Sequence, residues 1–88
     1  MPATIKMALY PNPSPGILHL QLTSALQQAV RIEITDAQGR LVFNKNVTAI
    51  SGLQTITINT KNLQSQLYFL YVRDSKNKIM TIQKFIKE

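Results

Sequence analysis

Val30-Arg31-Ile32-Glu33-Ile34-Thr35, followed by Asp36-Ala37-Gln38-Gly39 and Arg40-Leu41-Val42-Phe43, is the stretch that decides the fold. Val30, Ile32 and Ile34 alternate with Arg31 and Glu33. A period of two puts the first set on one face of a strand and the charged pair on the other. Asp36 to Gly39 is a turn signal with glycine at its end. The apolar run that follows continues to Val47. Strand, tight turn, strand is the grammar of an antiparallel hairpin.

The same grammar extends in both directions. Upstream, Ile17-Leu18-His19-Leu20-Gln21-Leu22 places Leu18, Leu20 and Leu22 on one face. Before it stands Tyr10-Pro11-Asn12-Pro13-Ser14-Pro15-Gly16. Its prolines lack backbone donors and have a fixed φ, so it reads as a stiff corner. Asn12 is expected to cap its own turn, and Gly16 to take a positive φ where the turn releases. Thr4 to Leu9 supplies a short first strand. Downstream, Ser51-Gly52 breaks the chain, and Ile56 and Ile58 alternate with threonines. Lys61 to Ser65 reads as a connector of about one helical turn, plugged by Leu63. Asp74 to Lys78 is a polar hairpin loop between Leu67–Arg73 and Ile79–Ile86.

Seven short strands and no helical period predict an all-β fold, a seven-stranded antiparallel immunoglobulin-like β-sandwich; a barrel is the alternative. Residues 1–88 make one domain, with 1–8 as linker remnant and first strand. Leu18, Leu20, Leu22, Val30, Ile32, Ile34, Ile56, Ile58, Tyr68, Leu70 and Val72 are the expected core. Two strands depart from simple alternation. Leu67, Phe69 and Tyr71 form a second apolar face opposite Tyr68, Leu70 and Val72, and this face is a candidate interface. In the last strand a bulge near Gln83 is expected to bring Phe85 onto the core side.

Composition bounds the function. The chain has 88 residues, 44% of them hydrophobic, enough for a core. No apolar run approaches the ~20 residues of a membrane span. No signal peptide follows Met1-Pro2, so for an exported protein the leader is expected on a longer precursor. The absence of cysteine excludes disulfides and thiolate chemistry. The net charge is +6 and the sequence pI about 10.0. That charge raises nucleic acid as a partner, but no basic-aromatic platform accompanies it. His19, the one histidine, sits on an outward strand face. Glu33 and Asp36 have opposite parity and point apart. With no nucleophile context, glycine-rich phosphate loop or carboxylate cluster, the reading is a non-enzyme without cofactor or metal.

Several spaced segments together resemble a known family. They are Tyr10-Pro11-Asn12-Pro13, Val30 to Ile34, Asp36-Ala37-Gln38-Gly39-Arg40-Leu41-Val42, Tyr68-Phe69-Leu70-Tyr71-Val72 and Lys84-Phe85-Ile86-Lys87. In order and spacing they are similar to the type A C-terminal sorting domain of the Bacteroidetes type IX (Por) secretion system. The resemblance implies a non-catalytic export address behind an upstream cargo domain. It implies passage through the periplasm and recognition by an outer-membrane translocon. Removal by a surface sortase-like protease would follow, leaving the cargo secreted or on the cell surface. The expected recognition residues are Tyr10, Pro11, Asn12, Pro13, Gly39, Arg40, Lys84, Phe85, Ile86 and Lys87, the terminal lysines as exposed cations at the rim. Leu67, Phe69 and Tyr71 are the expected contact to the translocon or to a second copy in a weak homodimer. The family usually has glycine just before the strand that holds Tyr68; here Gln66 stands there, which leaves that strand's register open. The competing expectation is an independent adhesion or carbohydrate-binding sandwich, with Phe69 and Tyr71 as its aromatic platform.

Overall fold

The computed structural model describes residues 5–88. Seven strands follow the predicted order: β1 Ile5–Tyr10, β2 Ile17–Ser24, β3 Gln28–Asp36, β4 Leu41–Ala49, β5 Gly52–Asn59, β6 Leu67–Asp74 and β7 Ile79–Ile86. The start of the expected first strand, Thr4, lies outside the described residues. The strands form two antiparallel sheets, β1-β2-β5 and β4-β3-β6-β7. Consecutive strands pair at β1–β2, β3–β4 and β6–β7. The chain passes from one sheet to the other after β2, β4 and β5. This is an open sandwich of immunoglobulin-like type, not a closed barrel.

The core lies between the sheets, as the period-two alternation dictates. Leu18, Leu20, Leu22, Ile32, Ile34, Leu70 and Val72 are completely buried, and Val30, Ile58 and Tyr68 nearly so. Ile5, Leu9, Ala49 and Phe85 complete the cluster. Ile56 is the exception among the expected core residues: it is only partly buried. It shares the inward parity of the buried Ile58 on β5 and packs against the core without being enclosed by it. Arg31 and Glu33 lie on the outer face, as predicted, in contact with each other.

Three local expectations change. The bulge in β7 is not at Gln83. It falls where the β6 register slips between Val72 and Arg73, making Met80 the extra residue. Phe85 reaches the core by ordinary alternation opposite Tyr68, and the slip lets Met80 pack against the core as well. Lys61 to Ser65 is a turn and bends rather than a helical turn, although Leu63 does pack against the core. Gly16 does not adopt a positive φ; Gly39 and Gly52 do. Gly16 instead sits where a Cβ would meet Lys61 Cγ at 3.0 Å, and its carbonyl accepts the Thr60 N–H at 2.8 Å.

Candidate recognition site

The antiparallel sheets gather the candidate recognition residues at one end of the sandwich. β1 ends there at Tyr10, β3 ends at Asp36, and β7 ends at Ile86. Asp36 is level with Tyr68, and Tyr68 with Phe85. The proline corner, the Asp36–Arg40 turn and the chain terminus are therefore neighbours. From β3 to β7 is two strand spacings, about 10 Å.

The corner and the terminus bind each other directly. The Ile86 N–H donates to Asn12 Oδ1 at 3.0 Å, so Asn12 caps the last strand rather than its own turn. The Ser14 N–H donates to the Ile86 carbonyl at 2.8 Å, and the Glu88 N–H donates to the Ser14 carbonyl at 2.9 Å. Ser14 and Lys87 thus form a parallel bridge. Both Tyr10-Pro11 and Asn12-Pro13 are cis. Proline has no N–H to compete for these acceptors, which leaves Ser14 as the strand-like donor inside the corner. On the other side, the Lys87 N–H donates to the Gln66 carbonyl at 3.0 Å. Gln66 Nε2 reaches the Tyr68 hydroxyl at 3.2 Å, and that hydroxyl donates to the Gln64 carbonyl at 2.8 Å. The register into β6 is regular despite glutamine at that position.

The two terminal lysines differ. Lys84 is exposed on the outer face, level with Phe69. Lys87 is buried, only 8% exposed, with its Nζ 3.0 Å from the Glu88 carbonyl. The expectation of two free cations at the rim holds for Lys84 and fails for Lys87, whose inward parity and bridge to Ser14 enclose its stem. Phe85 is fully buried and stacks on Tyr68 with centroids 5.5 Å apart. Ile86 is half exposed.

The second cluster is the turn. Asp36 Oδ1 accepts the N–H groups of Gln38 and Arg40 at 3.0 and 2.9 Å. Its Oδ2 accepts Arg40 Nε at 2.8 Å. The Asp36 side chain is 1% exposed, that of Arg40 77%. One buried carboxylate therefore fixes the backbone and holds an exposed guanidinium at its Nε edge. The backbone N–H of Arg40, foremost, holds the Asp36 carboxyl below its ordinary 3.8, against the opposing effect of burial. Gly39 takes φ 86° in the turn, with open space around it. The sequence marked Gly39 and Arg40 but not Asp36 as their anchor. A carboxylate followed by two polar residues and glycine is the signal that could have found it.

Leu67, Phe69 and Tyr71 point away from the core on the outer face of the four-stranded sheet, each half-buried. Their β7 partners Ile86, Lys84 and Ile82 are exposed beside them. His19 is outward, 3.3 Å from Thr57 Oγ1 and beside the Tyr10 ring. Among the described residues, no three His, Cys, Asp or Glu side chains are placed to hold a metal.

Fold and site define a β-sandwich domain whose candidate recognition elements, corner, turn and terminus, share one end. The chain belongs to the secretion-system C-terminal sorting domain family, whose sequence model matches residues 8–88. It is a C-terminal sorting signal of type IX secretion, which directs export across the outer membrane toward the cell surface or the medium. Among solved structures, it is similar to part of dimeric latent PorU from Porphyromonas gingivalis. That match has a TM-score of 0.80 at 20% identity and covers 99% of this chain but 9% of that one. A β-glucosidase from Kluyveromyces marxianus matches with TM-score 0.67 and 10% identity, over 99% of this chain and 14% of that one. A Listeria innocua β-glucosidase matches with TM-score 0.56 and 12% identity, over 97% and 16%. At these identities the likeness is one of fold alone, and the chain spans well under a fifth of each of these proteins. No curated protein matches the chain in sequence.

Proposed function

We propose that the end of the sandwich carrying the corner, the Asp36–Arg40 turn and the terminus is the surface that the outer-membrane translocon reads. The observation that supports this is the Asp36–Arg40 pair: a buried carboxylate holding a guanidinium that is itself mostly exposed. A cation held in one orientation loses little freedom on binding, which favours a specific anionic partner. Tyr10, Pro11, Asn12 and Pro13 act with Ile86 as the clamp that keeps the terminus on the fold. Phe85 and Lys87 anchor that terminus, while Lys84 and Ile86 stay available for contact. Cargo lies upstream, travels through the periplasm, and is released when a surface sortase-like protease removes the domain. The domain itself performs no catalysis and requires no cofactor.

The test is a reporter carrying a signal peptide in front of this domain, expressed in a host with the secretion system. The wild-type fusion reaches the medium or the cell surface. Arg40→Ala leaves the fold intact by circular dichroism, because Asp36 keeps its two backbone donors, and lowers export at least tenfold. Normal export of Arg40→Ala would remove the turn from the address.

A further inference from the structure

The two sheets are unequal, and the difference leaves a place for one more strand. β1 packs against β7, and Ser14 bridges Lys87, so the sheets are aligned along that side. The four-stranded sheet is therefore the wider at the opposite side, where β4 extends past β5. Burial records this overhang. Val30, Ile32 and Ile34 on β3 are buried, whereas Val47 and Phe43, level with Val30 and Ile34 on the same inward face, are only partly covered. Lys45, level with Ile32 on that face, is exposed. A cavity of about 180 Å³ lies where β4 and β5 part, with Ile34, Phe43, Ile58 and Leu63 in its lining.

The backbone at this place is open as well. The Thr60 N–H donates to the Gly16 carbonyl at 2.8 Å, and the β2–β5 register runs on from there without a slip. Antiparallel pairing alternates bonded and non-bonded positions, so Ile58, Ile56 and Gln54 turn their N–H and C=O groups toward β2. Leu53, Thr55, Thr57 and Asn59 turn theirs the other way, where β5 has no neighbouring strand. The other three edges are guarded by lysine: Lys6 on β1, Lys84 on β7, and Lys45 pointing inward on β4. β5 carries neither a charge nor a proline, and no charged residue occurs from Asn46 to Thr60. A row of alternating donors and acceptors is matched by another extended backbone, which a bilayer cannot supply.

We propose that β5 takes up an extended segment of another polypeptide as a fourth, antiparallel strand of the smaller sheet. The inward side chains of that segment lie over Phe43, Lys45 and Val47. The segment that fits is therefore apolar, acidic and apolar at alternate positions, with uncharged residues between. A second copy fits poorly. Pairing β5 with β5 would drive the overhanging β4 of each copy under the β5 of the other, where that copy's β3 already lies.

The probe is the blocked peptide Thr-Val-Thr-Glu-Thr-Val-Thr, titrated into the purified protein and followed by amide NMR. On saturation the amides of Leu53, Thr55, Thr57 and Asn59 should shift and exchange at least tenfold more slowly. Those of Gln54, Ile56 and Ile58, already turned toward β2, should keep their rates. N-methylation of the two central threonines of the peptide removes donors that face β5 and should weaken binding at least tenfold. Thr57→Pro removes an N–H that faces the open edge, and should weaken binding as much with little change in melting. Lys45→Glu should weaken binding at least tenfold, and a peptide with lysine in place of glutamate should restore it. Three outcomes would each overturn the proposal: no saturable shift at millimolar peptide, binding that survives N-methylation, or binding indifferent to Lys45→Glu. A dimer in sedimentation that Thr57→Pro abolishes would assign the edge to a second copy and overturn it too. If Thr57→Pro fails to fold, the N-methylated peptide decides. No step uses the secretion system, so failure here leaves the sorting role intact.

Discussion

Asp36 shows how one side chain shapes a turn and an electrostatic feature together. Its carboxylate accepts two backbone N–H groups and the Arg40 guanidinium while almost wholly enclosed. Asp74 repeats the backbone part at the other end of the sheet. Its Oδ1 accepts the N–H groups of Lys76 and Lys78, and Asn77, at φ 68°, stands where Gly39 stands in the first turn. The pH dependence of stability follows from the lowered pKa of Asp36. Above 3.8 the carboxylate is ionised in the folded and the unfolded chain, and its contribution is complete. As pH falls through 3.8 the unfolded chain takes up the proton first, and the contribution is gone once pH passes below the folded value. Urea midpoints measured from pH 7 downward should therefore fall below about pH 3.8, and Asp36→Asn should flatten that fall. An unchanged acid profile in Asp36→Asn would show that other carboxylates set it. Lys87 carries the opposite lesson. Because its stem is enclosed, replacing it disturbs packing as well as charge, so Lys84 is the cleaner probe of recognition.

At the scale of elements, β7 is the strand on which fold and function meet. Its inward residue Phe85 stacks on Tyr68, its outward residues form half of the apolar face, and its end is clamped by Asn12 and Ser14. The slip at Met80 reconciles the two apolar parities of the strand. Phe85→Ala should cost about 3–5 kcal/mol, the range for emptying a buried aromatic site. Chemical denaturation with matched slopes measures it. A loss below about 1 kcal/mol would mean that β7 is not held through Phe85. A cost in the expected range would also reduce export by loosening the scaffold, which is why Phe85 cannot report on recognition by itself. β5 shows that parity sets the face but not the depth: Ile58 is buried, while Ile56, two residues earlier on the same inward face, is only partly covered.

At the scale of the molecule, both sheets contribute to one core, with Leu18, Leu20 and Leu22 from one and Ile32, Ile34, Leu70 and Val72 from the other. A single core of this size supports cooperative unfolding with modest total stability. Ile32→Ala should cost about 2–5 kcal/mol. Its effect should appear as loss of amide exchange protection in β2 and β6 together, since Ile32 lies between the sheets. Loss confined to β3 and its direct neighbours would show that the two sheets open separately.

The seven strands, their inward faces and the hairpin turns are legible in the residues alone. Period-two alternation and turn chemistry are local: Val30, Ile32 and Ile34 must share a face wherever the strand goes. It also marked Gly39-Arg40, the proline corner and the terminal Lys84–Lys87 as separate segments of note. That these three lie at one end, that Asn12 caps β7, that Lys87 is enclosed while Lys84 is exposed, and that Met80 rather than Gln83 takes the slip emerge only once the strands are paired. Each of these depends on pairing between residues far apart in the chain, such as Asn12 with Ile86 or Tyr68 with Phe85. The energy of such pairing is set by register and by the neighbours on both sides of a strand, and neither is written in any local stretch of residues.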